Sequence, residues 1–146
     1  MHPVLNRARA NAKTPRDLEG SDAIVQKTLD LIRFYGCPFA LEIPWTGLLR
    51  TRDVVRGIPY VVADYCKYGS AFRKRTAFWH NIGWTPSQPL CKHDCPASDG
   101  KRHRESAQQG PKARGGGVRH TVNQLHAIPH PLCQDCLLYT SPSPRD

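Results

Sequence analysis

Apolar residues recur at helical spacing over one long stretch near the start of the chain. Leu18, Val25, Leu29, Ile32 and Tyr35 fall near a 3.6-residue period, with Ile24 and Leu31 beside them. Thr14 followed by Pro15 supplies a hydroxyl N-cap and a first-turn proline. Asp17 and Glu19 place anions where the helix dipole favours them, and Gly36 provides a stop. The pattern predicts a helix from Pro15 to Tyr35, roughly five turns long.

The next apolar run, Phe39 to Ile43, is short, contains one acid and is bounded by Pro38 and Pro44. It reads as a buried parallel strand following the helix, half of a right-handed crossover unit, beside a strand over Tyr60–Cys66. Thr46 to Arg56 is a weaker helix or turn, closed by Gly57 and Pro59. A strand pair is then expected over Tyr60 to Asn81, because Val61, Val62, Tyr65, Thr76, Phe78 and Trp79 are β-formers broken by Gly69. Its connection carries Arg73, Lys74 and Arg75 in a row, which reads either as a solvated face or as a phosphate or base contact beside aromatics.

After Trp84 the pattern changes. Pro86, Pro89 and Pro96 interrupt any element, and a Gly-, Lys- and Arg-rich stretch from Ser98 to Arg119 has too few apolar residues to fold alone. Val122 to Ile128 predicts one or two helical turns, ending at Pro129. The last eleven residues, Cys136 to Asp146, read as the translation of a common sequencing-library transposase adapter. That tail is set aside from fold and function, and the natural chain is expected to continue past Asp135.

The 146 residues carry a formal net charge of +9, which points to a polyanionic partner more than to a small acidic substrate. No apolar stretch is long enough to span a bilayer and the N-terminus is polar, so an intracellular protein without a membrane segment is expected. Six cysteines do not make a dense disulfide scaffold and read as reduced, structural or metal-binding. Cys91, Cys95 and His103 have spacings compatible with zinc, with His93 or Cys133 as a fourth ligand; free loop cysteines are the alternative. Glu42 stands out as a carboxylate inside an apolar strand. It either pairs with a neighbouring Arg or faces the crevice where open α/β sheets bind ligands.

Two of these segments resemble the DNA (cytosine-5) methyltransferases. Tyr68 and Gly69 followed by Arg73, Lys74 and Arg75 are similar to that family's Tyr-Gly-x-Pro-Gln-x-Arg-x-Arg segment, with Ala71 and Phe72 in the Pro and Gln places and one residue fewer before the first arginine. Leu41, Glu42 and Ile43 are similar to its Glu-Asn-Val strand end, with Ile in the Asn place. Divergent members resemble this chain again at Arg16, Asp17, Leu18 and Glu19 and over Asp64 to Gly69. The resemblance covers roughly Pro15 to Cys95 and, more loosely, continues to Asp135.

It implies an α/β fold, the C-terminal half of an incomplete Rossmann-like methyltransferase domain over residues 1–90. A basic, loop-rich extension with a possible zinc site would follow over 91–135, and the tail over 136–146. It implies S-adenosylmethionine as cofactor and DNA as partner, with a cytosine flipped out of the duplex. Glu42 would hydrogen-bond and protonate the ring, and Arg73 and Arg75 would hold the base or an adjacent phosphate. Lys67, Lys74, Lys101, Arg102 and Arg104 would contact the nucleic acid, with Lys112, Arg114 and Arg119 as further phosphate contacts. The family's Pro-Cys nucleophile loop would fall near Pro3 and Val4, where no Cys stands, and its glycine-rich cofactor loop is absent from this sequence. Methyl transfer by this chain alone is therefore not expected. The rival expectation is a non-catalytic, zinc-stabilised nucleic-acid-binding module.

Overall fold

The computed structural model describes residues 16–107 and 120–139. Within them the fold is mixed α/β with two small open sheets. Helix α1, Leu18–Tyr35, is capped by Asp17, whose side chain accepts from Gly20 N at 2.7 Å. The N-cap is thus Asp17 rather than Thr14, whose carboxylate equivalent also suits the dipole better than a hydroxyl; Thr14 and Pro15 lie outside the described residues. Gly36 closes the helix at φ 60°, a left-handed conformation that glycine adopts without Cβ strain.

The main sheet holds β1 (Ala40–Pro44), β2 (Tyr60–Asp64) and β4 (Arg75–His80) in the order β1-β4-β2. Both outer strands pair antiparallel with β4, with Glu42 opposite Phe78 and Val61 opposite Phe78. The expected arrangement of the 39–43 run is corrected on two counts. It is a half-buried edge strand with exposed ends, and it pairs antiparallel with β4 instead of parallel with the 60–66 strand. β1 and β2 do run in the same direction, but β4 lies between them. The reason is visible in β4: from Thr76 to His80 every residue is buried, so this strand is covered on both faces and both of its edges are satisfied by pairing.

The faces of β4 divide the core. Ala77 and Trp79 pack with Leu49, Val55, Leu41, Ile43 and Val25 of α1. Phe78 packs on the other face with Ala63, Tyr65, Tyr68, Trp84 and Leu132. The weak 46–56 segment forms two short 3-10 helices, Leu49–Thr51 and Asp53–Val55. It is tied to α1 by a bidentate ion pair between Arg52 and Asp22, with distances of 2.6 to 3.1 Å.

β2 ends at Asp64, and Tyr65–Tyr68 is a 3-10 turn closed by Gly69 at φ 91°. β3, Phe72–Arg73, leaves the main sheet to pair in parallel with β5, Glu105–Ser106. Helix α2, Val122–His126, starts with a Thr121–Gln124 capping box. Helix α3, His130–Leu137, had no sequence signal strong enough to predict it; it runs through the 135–136 junction and buries Leu132 in the core. No helix among the described residues is long and apolar enough to cross a membrane.

His80 is 4 % exposed, and among the described residues neither of its ring nitrogens has a hydrogen-bond partner. Burial lowers its pKa. As pH falls below the ordinary histidine value of ~6.5, the unfolded chain takes up a proton that the folded chain resists, so folding stability falls. We expect His80→Leu to be neutral or stabilising at pH 7.5, and to lose less stability than the parent on going to pH 5.5. Denaturant unfolding of both proteins at the two pH values measures this. Equal losses would show that His80 does not titrate between them.

A candidate metal centre

The cysteine-rich loop docks on the turn that follows β2. Cys66 lies in that 3-10 turn and is 2 % exposed; Cys91 and Cys95 are 4 % and 6 % exposed. Together with His103 they form a Cys3His cluster whose ligand atoms all lie within 4.8 Å of one another. His103 Nε2 is 3.4 Å from Cys91 Sγ and 3.3 Å from Cys95 Sγ. A tetrahedral zinc ion with Zn–S of ~2.3 Å and Zn–N of ~2.0 Å implies ligand–ligand edges of roughly 3.5–3.8 Å, so the donor set fits this ion.

Local backbone geometry makes the convergence possible. His93, midway between the loop cysteines, adopts a left-handed conformation at φ 67°, which reverses the chain so that both sulfurs point to one place. Its ring lies 5.0 Å from that of His103, but it contributes no ligand. Asp94 takes Lys92 N at 3.0 Å and Lys67 Nζ at 3.1 Å, fastening the loop to the 3-10 turn. A second tight turn brings His103 back. Asp99 accepts from Lys101 N and Arg102 N, both at 2.8 Å, Gly100 has φ 92°, and Ser98 bridges to His103.

The chemistry of the donors agrees with the geometry. Burial, followed by the neighbouring thiols of Cys91 and Cys95, pushes the Cys66 thiol up. Three buried sulfurs cannot all ionise side by side without a cation, and a dication removes that obstacle by deprotonating them. Burial, followed by the neighbouring His93 and Arg73, lowers the His103 pKa and favours the neutral imidazole, the form that ligates. All the described cysteines are free of disulfides. The expected fourth ligand is corrected: Cys66 takes the place expected for His93 or Cys133. A site with four protein donors is closed, as structural zinc sites are, and keeps no open position for a substrate.

Asp64 joins this centre to the sheet. Its side chain is fully buried. It accepts from Arg75 Nε at 2.9 Å, Arg75 Nη2 at 2.7 Å, Arg73 Nε at 3.4 Å and the backbone N–H of Cys91 at 2.9 Å. Burial alone would raise its pKa, but the Arg75 bonds, the Cys91 N–H and the Arg73 charge outweigh burial and hold it below the ordinary carboxylate value.

The other sequence-predicted residues divide into bound and exposed cations. Lys74 Nζ donates to Glu42 Oε1 at 3.2 Å and lies 4.9 Å from the Tyr65 ring centre; Tyr65 Oη donates to the same oxygen at 3.0 Å. The Arg73–Lys74–Arg75 run is therefore no solvated face, since each member holds a carboxylate. Glu42 pairs with Lys74 and not with an Arg. Lys67 is held by Asp94, whereas Lys101 and Arg102 are exposed at the tip of the metal loop, and Arg104 braces that loop through Pro96 O at 2.8 Å. Lys112, Arg114 and Arg119 lie outside the described residues. Cys66 was missed because its sequence neighbours read as a strand continuing from Val62; the signal available was a further Cys just before a Gly break.

Compared with protein-family models, curated proteins and solved structures, the chain matches none.

We expect purified protein to hold about one equivalent of zinc. Cys66→Ser should weaken it at least ~10-fold, the scale of losing even a supporting contact at a metal. Affinity should fall as pH drops below ~6.5, where protons compete for the imidazole and thiolates. Competition with a chromogenic chelator measures both, and unchanged affinity in Cys66→Ser would remove that residue from the site. Asp64→Asn should destabilise the fold towards the lower end of ~3–5 kcal/mol, since its arginine partners keep some exposure.

Proposed function

We propose that this chain is the base-handling part of a DNA cytosine-5 methyltransferase-like protein, with a Rossmann-like relationship to that domain's C-terminal half. A structural zinc centre would lock a basic loop beside the sheet. The observation that supports this reading is the junction of the two resembling segments. Glu42, from the first, and Lys74, from the second, share one contact at the edge strand β1. Both hydrogen bonds to the Glu42 carboxylate fall on Oε1. Among the described residues Oε2 has no such bond, which leaves it to carry the proton that it would donate to the ring nitrogen of an extruded cytosine.

Each residue then has a definable task. Tyr65 and Lys74 orient Glu42, and burial followed by the Glu42 charge raises the Tyr65 pKa, so its hydroxyl stays a donor at neutral pH. Arg73 and Arg75 are fixed by Asp64, and their side chains remain 30 % and 29 % exposed, enough to meet a base or phosphate. Lys101 and Arg102, at the tip of the loop, would contact the DNA backbone. S-adenosylmethionine would supply the methyl group in the full-length relative; no residue of this chain is assigned to hold it. No Cys in the chain directly follows a Pro, so no residue is assigned as the nucleophile either.

A second reading has its own support. The closed four-donor site and its exposed cationic tip also suit a non-catalytic, zinc-stabilised nucleic-acid-binding module. One titration separates the two. We expect tighter binding to a duplex whose cytosine faces an abasic site than to a fully paired duplex. Glu42→Ala should erase that preference, which a good base contact sets at ~1–3 kcal/mol, while Lys101→Ala should weaken both duplexes equally. No methyl transfer to cytosine is expected in the same mixture with S-adenosylmethionine. If Glu42→Ala leaves the two affinities in the same ratio, the binding-module reading stands and the base-handling reading falls.

A further inference from the structure

Away from the metal centre, at the opposite end of β2, Tyr60 begins the strand and sits in a row of aromatic rings. Its ring is 5.3 Å from that of Trp79 and 6.3 Å from that of Trp45, and the Arg50 guanidinium lies 4.4 Å above Trp45. Tyr60 is 45 % exposed, whereas Trp79 beneath it is 2 % exposed. One ring of the row is therefore presented to solvent while another supports it from the core. Beside the row is a cavity of about 350 Å³, lined among others by Arg50, Arg52, Arg56, Tyr60 and Trp79.

The cations around this cavity differ in how firmly they are held. Arg52 is committed to Asp22 through the bidentate pair with α1. Arg56 is paired only with Asp53, and both side chains are about four-fifths exposed, at 79 % and 84 %. Such a surface pair is worth little and releases its guanidinium at small cost. Arg50 is exposed and is held by its stacking on Trp45 and a hydrogen bond to that residue's carbonyl. The cavity thus offers two available guanidiniums next to an exposed aromatic face, on a chain of net charge +9.

We propose that this cavity binds a nucleobase together with its phosphate, as part of a single-stranded nucleic acid. Tyr60 stacks the base, which any base permits because every base has a π-face, and Arg50 and Arg56 take the phosphate. The site is independent of Glu42 and of the metal loop. Cys66, the first metal ligand, lies past the far end of β2, whose span from Tyr60 to Asp64 is roughly 13 Å at ~3.3 Å per residue. An apolar peptide would not use the guanidiniums, and a phosphate alone would not use the row of rings.

The test uses the whole zinc-loaded chain and two probes: fluorescein-labelled oligo-dT and unlabelled dTMP. Binding of the oligonucleotide is followed by anisotropy, and of dTMP by quenching of Trp45 fluorescence. Tyr60→Ala should weaken the oligonucleotide about fivefold or more, as loss of one stacked base does, while Tyr60→Phe restores the parent affinity. Arg50→Gln and Arg56→Gln should each flatten the salt dependence by about one phosphate contact. Glu42→Ala should change none of this, which keeps the result separate from the base-extrusion reading. A preference for oligo-dT over dTMP supports the site with a strand as occupant; equal affinities, both lost in Tyr60→Ala, support it with a free nucleotide. Unchanged oligonucleotide affinity in Tyr60→Ala, with correct folding shown by the Tyr60→Phe control, overturns the proposal.

Discussion

A single buried carboxylate sets the arrangement of the rest. Asp64 terminates β2 with its side chain shut off from solvent, and it gathers donors from three separate parts of the chain. Arg75 belongs to β4, Arg73 to β3, and the third donor is the backbone N–H of Cys91. An unpaired carboxylate in that position would be intolerable, so all three segments must arrive together for any of them to be stable. The same constraint places Cys66, two residues on, against Cys91. The candidate metal ligands are thus brought near one another by a charge network, and an ion bound there would close what the network arranges.

This ordering explains how a loop with almost no apolar content can be well defined. Within residues 91–106 only Cys91, Cys95 and Ser98 are buried, and Ala97 is the one partly buried apolar residue packed against them. That is too little apolar area to offset the conformational entropy of ordering the segment. Turn hydrogen bonds at Asp94 and Asp99 and the β3–β5 pairing supply part of what the core does not. Zinc bound at the Cys3His cluster would add its binding free energy to the folding of the loop and hold its cationic tip, Lys101 and Arg102, in place.

The sequence made some of this legible and concealed the rest for identifiable reasons. The long amphipathic period of α1 and the β-formers around Gly69 gave their elements directly, because each has a strong local signal. Cys91, Cys95 and His103 were readable because they are close in sequence. Cys66 was not, since nothing local distinguishes a ligand from a small buried residue in a strand, and its partnership is created by tertiary packing. Parallel pairing of the 39–43 run was the wrong inference because a half-buried edge strand and a short buried strand have the same apolar count; only the position of β4 between β1 and β2 decides between them. The Arg73–Arg75 run read as either a solvated face or a phosphate contact, because local pattern does not show what holds a cation. Its partners, Asp64 and Glu42, are 9 to 32 residues away, beyond what local pattern conveys. Helix α3 is short and begins at Pro129, and its burial rests on Leu132 alone among its fully buried residues.

Both groups of cations therefore depend on who holds them. Those nearest the sheet centre are neutralised by carboxylates, and their role is to orient: Lys74 and Tyr65 fix Glu42, and Arg73 and Arg75 fix Asp64. The exposed cations sit at the periphery, on the metal loop and around Tyr60, where their charge is available to a polyanion. An extended nucleic acid meeting both would find positional constraint at the centre and electrostatic attraction at the edges. That division follows from desolvation. A cation can be kept in the interior only where a carboxylate offsets its lost hydration, whereas a cation intended for a phosphate must keep its hydration until the phosphate replaces it.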